Sequence, residues 1–153
     1  MPRHSETRHL PWTPEELFDL VADVRRYPEF LPWVAAVRIR SSEPGLLVAD
    51  MAVGFKSLKE TFTSRVNLDR PYSIEVDYIS GPLKRLHNDW RFQAAEKGGT
   101  NLEFHVDFEF KSKIFEKLAG AFFHEAFKHM VASFETRAAK LYGSRSLSAT
   151  SAA

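Results

Sequence analysis

A chain of 153 residues is the usual size of one hydrophobic core, and 44% apolar with 27% charged residues describes an ordered globular domain. With 21 Lys+Arg against 20 Asp+Glu and a net charge of +1, the chain lacks the broad basic footprint of DNA binding. Zero cysteines remove disulfides, thiolate zinc sites, iron–sulfur clusters and cysteine nucleophiles together.

The first residues, Met1 to Glu6, carry neither a secretory nor a transit pattern, and no apolar run approaches the roughly 20 residues that span a bilayer. The protein is therefore expected to stay where it is made. Residues 4 to 10 form a weak candidate strand. The sequence Trp12-Thr13-Pro14-Glu15-Glu16-Leu17 then carries a helix start: Thr13 caps, Pro14 suits the first helical position, Glu16 closes a capping box, and Trp12 staples onto Leu17. Leu17, Leu20, Val21 and Val24 recur at helical spacing, which predicts a helix over about 14 to 22. Asp23 is expected to cap a second short turn that stops before Pro32, since Pro28 and Pro32 disfavour helix in the residues before them.

From about 36 to 110 the period changes to two. Leu102, Phe104, Val106, Phe108 and Phe110 alternate with polar residues, as do Tyr72, Ile74, Val76 and Tyr78. Leu86, Trp90 and Phe92 share parity in the run between them. Glu43-Pro44-Gly45 and Gly98-Gly99 read as hairpin turns. After Ser112 the spacing returns to three and four through Phe115, Leu118, Phe122, Ala126, Met130, Phe134, Ala138 and Leu141, with Phe123 and Phe127 widening the stripe. One helix over 113 to 141, about 44 Å long and ended by Gly143, is predicted. Residues 144 to 153 have no periodicity and read as an unstructured tail beyond a single domain of residues 1 to 143. The fold class is α+β: a curved antiparallel sheet of six to seven strands gripping a long C-terminal helix, with two short helices after the first strand. A ligand would sit between the concave face and that helix.

Chemistry is sparse. His124 and His129 are five apart, about 140° around a helix, so they cannot share one metal. Glu125 and His129 have the spacing to pair. Phosphate loops, nucleophile elbows and dinucleotide glycines are missing, and Glu75, Asp77, Glu103, Asp107 and Glu109 fall on wet strand faces. Polar residues whose parity points inward say more: Glu60 and Ser64 share a face with Leu58, Phe62 and Val66, and Asn88 is in register with Leu86, Trp90 and Phe92. Glu60 must be paired, protonated, at a wet cavity mouth, or out of this register. The stretch Ser80 to Leu86 sets an apolar tip beside Lys84 and Arg85, either as a plain strand connection or as a loop that touches an anionic membrane. The 13 Phe, against 3 Trp and 4 Tyr, suit a packed core and a greasy cavity equally.

The segments Phe18 to Val24, Tyr27-Pro28-Glu29-Phe30-Leu31-Pro32-Trp33, Phe62 to Val66, and Gly81 to Leu86 with Trp90 and Phe92 resemble the coenzyme Q-binding protein family. That family sits within the polyketide cyclase and START-like helix-grip superfamily. Asp107-Phe108-Glu109-Phe110, Phe134-Glu135-Thr136-Arg137 and Leu141-Tyr142-Gly143 fit the same pattern. The resemblance covers about residues 4 to 143, and Val34 stands where relatives commonly carry cysteine. It implies a non-enzymatic protein that binds ubiquinone or a similar polyprenyl lipid, with no cofactor and no metal, supporting respiration or quinone biosynthesis. Such a protein would be cytoplasmic and would touch the inner face of the membrane transiently. Bacterial members described as ribosome-association toxins imply an alternative in which the ribosome is the partner. Cyclases and aromatases of the superfamily imply a third.

A quinone head offers acceptors and no donors, so it needs a few donors among aromatics. On that reading Glu60, Ser64, Asn88 and Lys84 are the polar head candidates, with Tyr78 and Trp90 as further donors. Leu31, Trp33 and Val37 would line the tunnel after the short helices. Phe55, Phe62, Val66, Tyr78, Leu86, Trp90, Phe104 and Phe108 would line it from the strands, and Phe123, Phe127 and Met130 from the long helix. Tyr27, Pro28 and Phe30, with Pro82 and Leu83 across from them, would frame its entrance.

Overall fold

The structure is a computed structural model that describes residues 3–55 and 58–143, with the side chains of Phe55 and Leu58 outside the description. The expected tail, residues 144–153, also lies outside the described residues. Strand β1 (Arg3–Leu10) leads into helix α1 (Pro14–Ala22) and a 3₁₀ turn (Val24–Glu29). Strands β2 (Val34–Glu43), β3 (Leu46–Phe55), β4 (Leu58–Asp69), β5 (Ser73–Ser80), β6 (Leu83–Ala94) and β7 (Thr100–Phe110) follow, and helix α2 (Lys113–Tyr142) closes the fold. All seven strands pair antiparallel in the order β1-β7-β6-β5-β4-β3-β2. Register shifts at Val34/Ala36 and Ile39/Ser41 in β2, at Thr63/Ser64 in β4 and at Leu83/Arg85 in β6 bend the sheet.

Local chemistry sets the helix ends. The Glu16 amide donates to Thr13 Oγ1 at 3.1 Å and the Thr13 amide to Glu16 Oε1 at 3.0 Å, the reciprocal box expected from the sequence. Asp23 behaves differently: its side chain caps nothing and faces Arg26 at 3.2 Å. Ser112 Oγ accepts from the Phe115 amide at 3.0 Å, and the Gly143 amide ends α2 on Ala139 O at 2.9 Å.

Two apolar positions expected on the buried stripe of α2 are exposed, Leu118 at 77% and Leu141 at 49%. The buried row instead runs through Ala119, Phe123, Ala126, Val131, Phe134 and Ala138. Leu118 sits about 100° around the helix from Ala119 and falls off the buried row toward solvent. Tyr72, expected on the inner face of β5, precedes that strand and is also exposed.

Helix α2 rests on β7, β1 and α1, and the 3₁₀ turn packs against β2. Its C-terminal end is tied down by Trp12 Nε1 donating to Gly143 O and Tyr142 Oη to Glu16 O, each at 3.0 Å. The helix therefore packs most closely over the β1–β7 side of the concave face and leaves a space between itself and the inner surfaces of β3, β4 and β5.

Candidate functional site

The space between this part of the concave face and α2 is a cavity, with 140 Å³ open to the centre of a water molecule. Its floor is built by strand alternation: Ala49, Met51 and Val53 of β3 stand opposite Ser64, Phe62 and Glu60 of β4, and all but Glu60 line the space. Ile74 and Val76 of β5 continue the floor, and Leu86, Asn88 and Trp90 of β6 reach its far side. Helix α2 contributes Phe122, Phe123, Ala126, Phe127, Met130 and Phe134 as the roof. Val21, Val24, Tyr27, Leu31, Trp33 and Val34 close the side between α1 and β2.

Aromatic clusters brace both ends. At one end Phe134 meets Trp90 and Phe30 at 5.0 Å between ring centroids and Tyr27 at 5.3 Å. At the other, Phe123 meets Phe62 at 5.6 Å, Phe110 at 5.7 Å and Phe122 at 5.2 Å. Edge-to-face contacts of this kind hold ring planes rigidly. The 3₁₀ turn is latched to α2 by the buried Arg137, whose Nη2 donates to Glu29 Oε1 at 2.6 Å while its guanidinium lies 5.1 Å from the Phe30 ring centre. That hydrogen bond is the main reason the Glu29 carboxyl is held below the usual carboxylate range. Tyr27 donates its hydroxyl to Val21 O, and burial, aided by the charge of Asp23, pushes its phenol above the ordinary tyrosine range.

Polar groups on the wall are few. The indole N–H of Trp90 is spent on Asn88 Oδ1 at 3.0 Å, and Asn88 Nδ2 donates to His105 O at 2.8 Å. One Asn88 N–H, the Ser64 hydroxyl and the Trp33 indole N–H remain as donors. No Asp, Glu, His, Lys or Arg is among the described residues that line the cavity. Among the described residues no group of His, Asp and Glu is placed to hold a metal, and Glu125 pairs with His129 at 3.2 Å on the outer side of α2.

The structure brings together Tyr27, Leu31, Trp33, Phe62, Ser64, Val66, Leu86, Asn88, Trp90, Phe123, Phe127 and Met130 around one space. Other expected positions lie elsewhere. Phe104 and Phe108 are on β7, beneath α2, and pack in the core without lining the space. Val37, on the edge strand β2, is half-buried against the core and does not line the space. Tyr78 meets Phe62 edge-on at 6.0 Å between ring centroids, and its hydroxyl accepts from the Leu83 amide at 2.9 Å, so it closes the β5–β6 turn. Glu60 lies on the concave face by register but half-exposed and off the lining, beside Tyr78, whose phenol is raised chiefly by burial.

Lys84 is exposed and 3.4 Å from Glu109. Of the expected entrance residues, Pro28 lies within the 3₁₀ turn and Phe30 packs on Phe134. Pro82 is half-buried off the lining, and Leu83 is fully buried, at 0% exposure, so the β5–β6 turn offers no apolar tip. The side chain of Phe55 falls outside the described residues. Reading the sequence alone missed Val21, Val24, Val34, Ala49, Met51, Val53, Ile74, Val76, Phe122, Ala126 and Phe134 as lining residues. The period of two in Leu47, Ala49, Met51 and Val53, and the small Ala126 amid large residues, were the available signals.

A family model described as polyketide cyclase/dehydrase and lipid transport matches residues 10–135. The ribosome association toxin RatA of Escherichia coli strain K12 is 37% identical over 145 residues, covering 95% of this chain and 92% of that protein. The mitochondrial coenzyme Q-binding protein COQ10 homolog B of Xenopus laevis is 33% identical, covering 98% of this chain and 63% of its own length. Among solved structures, an 18 kDa protein from Caulobacter crescentus is 40% identical with a TM-score of 0.72, covering 94% of this chain and 100% of that one. The Zhui aromatase/cyclase from Streptomyces sp. R1128, at 18% identity and a TM-score of 0.77 over 90% of this chain and 93% of that one, shares the fold.

Proposed function

The chain belongs to the polyketide cyclase/dehydrase and lipid transport family, and on that premise we propose that it holds a ubiquinone-type lipid in the cavity beneath α2, without chemistry, as a carrier. The observation that carries this reading is the character of the wall. It is apolar throughout except for Ser64, Asn88, the indole N–H of Trp33 at the rim, and the engaged hydroxyl and indole of Tyr27 and Trp90. A quinone ring fits such a wall because its carbonyls accept from Ser64 Oγ and the spare Asn88 N–H, and it brings no donor that would be left unsatisfied.

Size sets how much is enclosed. At about 10–15 Å³ of such space per water and about 30 Å³ of liquid for each, the cavity takes about ten waters or about 300 Å³ of ligand. That is room for a substituted ring and the start of one tail, so the rest of a polyprenyl chain runs out past the half-exposed rim at Trp33, Phe122 and Met130. The name of the Xenopus relative supports the ligand class. A cyclase or aromatase needs a group that moves protons, and the described lining supplies no carboxylate, imidazole or amine for it.

The test is mass spectrometry of an organic extract from protein purified without detergent, beside an equal mass of an unrelated soluble protein. Stoichiometric quinone in the extract is the expected result. An empty extract followed by no uptake of quinone from liposomes overturns the reading. A second reading, inhibition of ribosomal subunit joining, is favoured by the identity to the Escherichia coli toxin across 95% of this chain. A normal ribosome sedimentation profile under growth-inhibiting expression would count against it.

A further inference from the structure

Helix α2 begins with two large apolar side chains in open solvent: Ile114 is 75% and Leu118 77% exposed. Four residues apart, they lie on one side of the helix, and the same row continues through Phe122, Ala126 and Met130. Those last three line the cavity. One apolar track thus runs from a bare helix tip to the roof of the ligand space.

Lys113 and Lys117 each precede one of the exposed residues and form a parallel row about 100° around the helix. Lys111 stands just before the helix. All three are exposed, and none is in an ion pair among the described residues. The acidic groups nearby are Glu116, on the same turns, and Glu109, which faces Lys84 at 3.4 Å. The segment Lys111 to Leu118 therefore carries three cations against one anion around an apolar pair.

We propose that these first turns of α2 are a docking surface for an anionic lipid bilayer, with Ile114 and Leu118 entering the acyl boundary and the lysines meeting the headgroups. Charge complementarity and the apolar pair together select this occupant. Lysines alone would suit the phosphates of RNA equally, but solvent-exposed Ile and Leu gain nothing from a phosphate backbone, whereas an interfacial helix uses both. The inference rests on the lipid-carrier reading for its purpose: a tail following the row from Leu118 to Phe122 passes between bilayer and cavity without crossing water. The docking itself does not depend on which lipid is carried.

The experiment is co-sedimentation of the full chain with vesicles of phosphatidylcholine alone and of equimolar phosphatidylcholine and phosphatidylglycerol. Wild type is expected to bind the anionic vesicles more strongly. At about fivefold per lysine near an anionic surface, Lys113→Gln with Lys117→Gln lowers that partition about 25-fold. Ile114→Asp with Leu118→Asp lowers it by about tenfold or more, while Leu141→Asp, at an exposed site near the other end of α2, changes it less than about twofold.

Wild-type protein that ignores vesicles, or tip variants that bind like wild type, overturn the proposal. So does binding confined to ribosomal subunits or RNA that the lysine changes abolish and the Ile114 and Leu118 changes leave intact. Binding of a water-soluble short-tailed quinone, measured on the same proteins, separates the two readings. Docking without quinone binding leaves the surface standing and fells the carrier reading, and quinone binding without docking does the reverse.

Discussion

Replacing Ala126 with phenylalanine separates a ligand cavity from an ordinary core. Ala126 is buried and lines the roof between Phe122 and Met130 on one helix row. Six added carbons would extend into the open space. Burying a Phe side chain contributes about 1.5–3 kcal/mol relative to exposure, and overpacking costs about 1–3 kcal/mol, so the net stability change is within about 2 kcal/mol of zero. Truncating a packed ring such as Phe123→Ala should instead cost about 3–5 kcal/mol. Binding responds differently: losing room for six ligand atoms at about 0.3 kcal/mol each weakens it by about 2 kcal/mol, roughly thirtyfold in Kd. Urea unfolding gives the first quantity, and quenching of Trp33 and Trp90 fluorescence by a short-tailed quinone gives the second. Unchanged affinity in a stable Ala126→Phe protein would show that the ligand does not occupy this space, and a loss above about 3 kcal/mol would show that the space is not open.

Asn88→Leu removes the acceptor of the Trp90 indole N–H and should cost about 1–3 kcal/mol; adding Trp90→Phe should relieve part of that, and strict additivity in the double-mutant cycle would disprove the coupling. Gly99 has φ 75°, and a Cβ there would overlap the Leu10 carbonyl, so Gly99→Ala should lose at least about 2 kcal/mol and lower Tm by about 4–8 °C; an unchanged Tm refutes the turn geometry. Burial pulls the His87 pKa down, but the hydrogen bond to Asp77 and the charges of Asp77, Asp89 and Asp107 raise it above its ordinary value. Its contribution is therefore complete below about pH 6.5 and lost as pH rises through the raised value. Wild type should exceed Asp77→Asn in stability most at the acid side of that window, and a difference that grows with pH would contradict the assignment.

What the sequence made legible was local. The capping box of Thr13 and Glu16, the alternation of β7 and the two ends of α2 each depend on residues within a few positions of one another. Parity told which residues of β4 and β6 share the inner face, and Phe62, Ser64, Leu86, Asn88 and Trp90 meet around one space for that reason, whereas Tyr72 falls before β5 and is exposed. Parity does not tell which part of the inner face the helix covers. Phe104 and Phe108 share the concave face with Phe62, yet α2 lies on β7 and turns them into core. The same placement rotates Leu118 outward and leaves Leu83 buried, so the exposed apolar tip belongs to the helix and not to the β5–β6 turn. Helix rotation is set by the docking of Trp12, Tyr142 and Gly143, contacts more than a hundred residues apart.

The abundance of Phe fitted a solid core and a greasy cavity alike, and the arrangement shows why these are not alternatives. Rings clustered on Phe134 and on Phe123 stand at either end of the space as rigid planes braced by edge contacts. Between them the facing positions are short: Ala126 above, Ala49 and Ser64 below. Walls of that stiffness cannot relax inward, so the gap persists. The gap of 140 Å³, open at its rim, forgoes contacts that packed side chains would otherwise make there. A core shaped for stability alone would be filled there. An alanine between two aromatic braces leaves room that a lipid of the proposed class would fill with its own contacts.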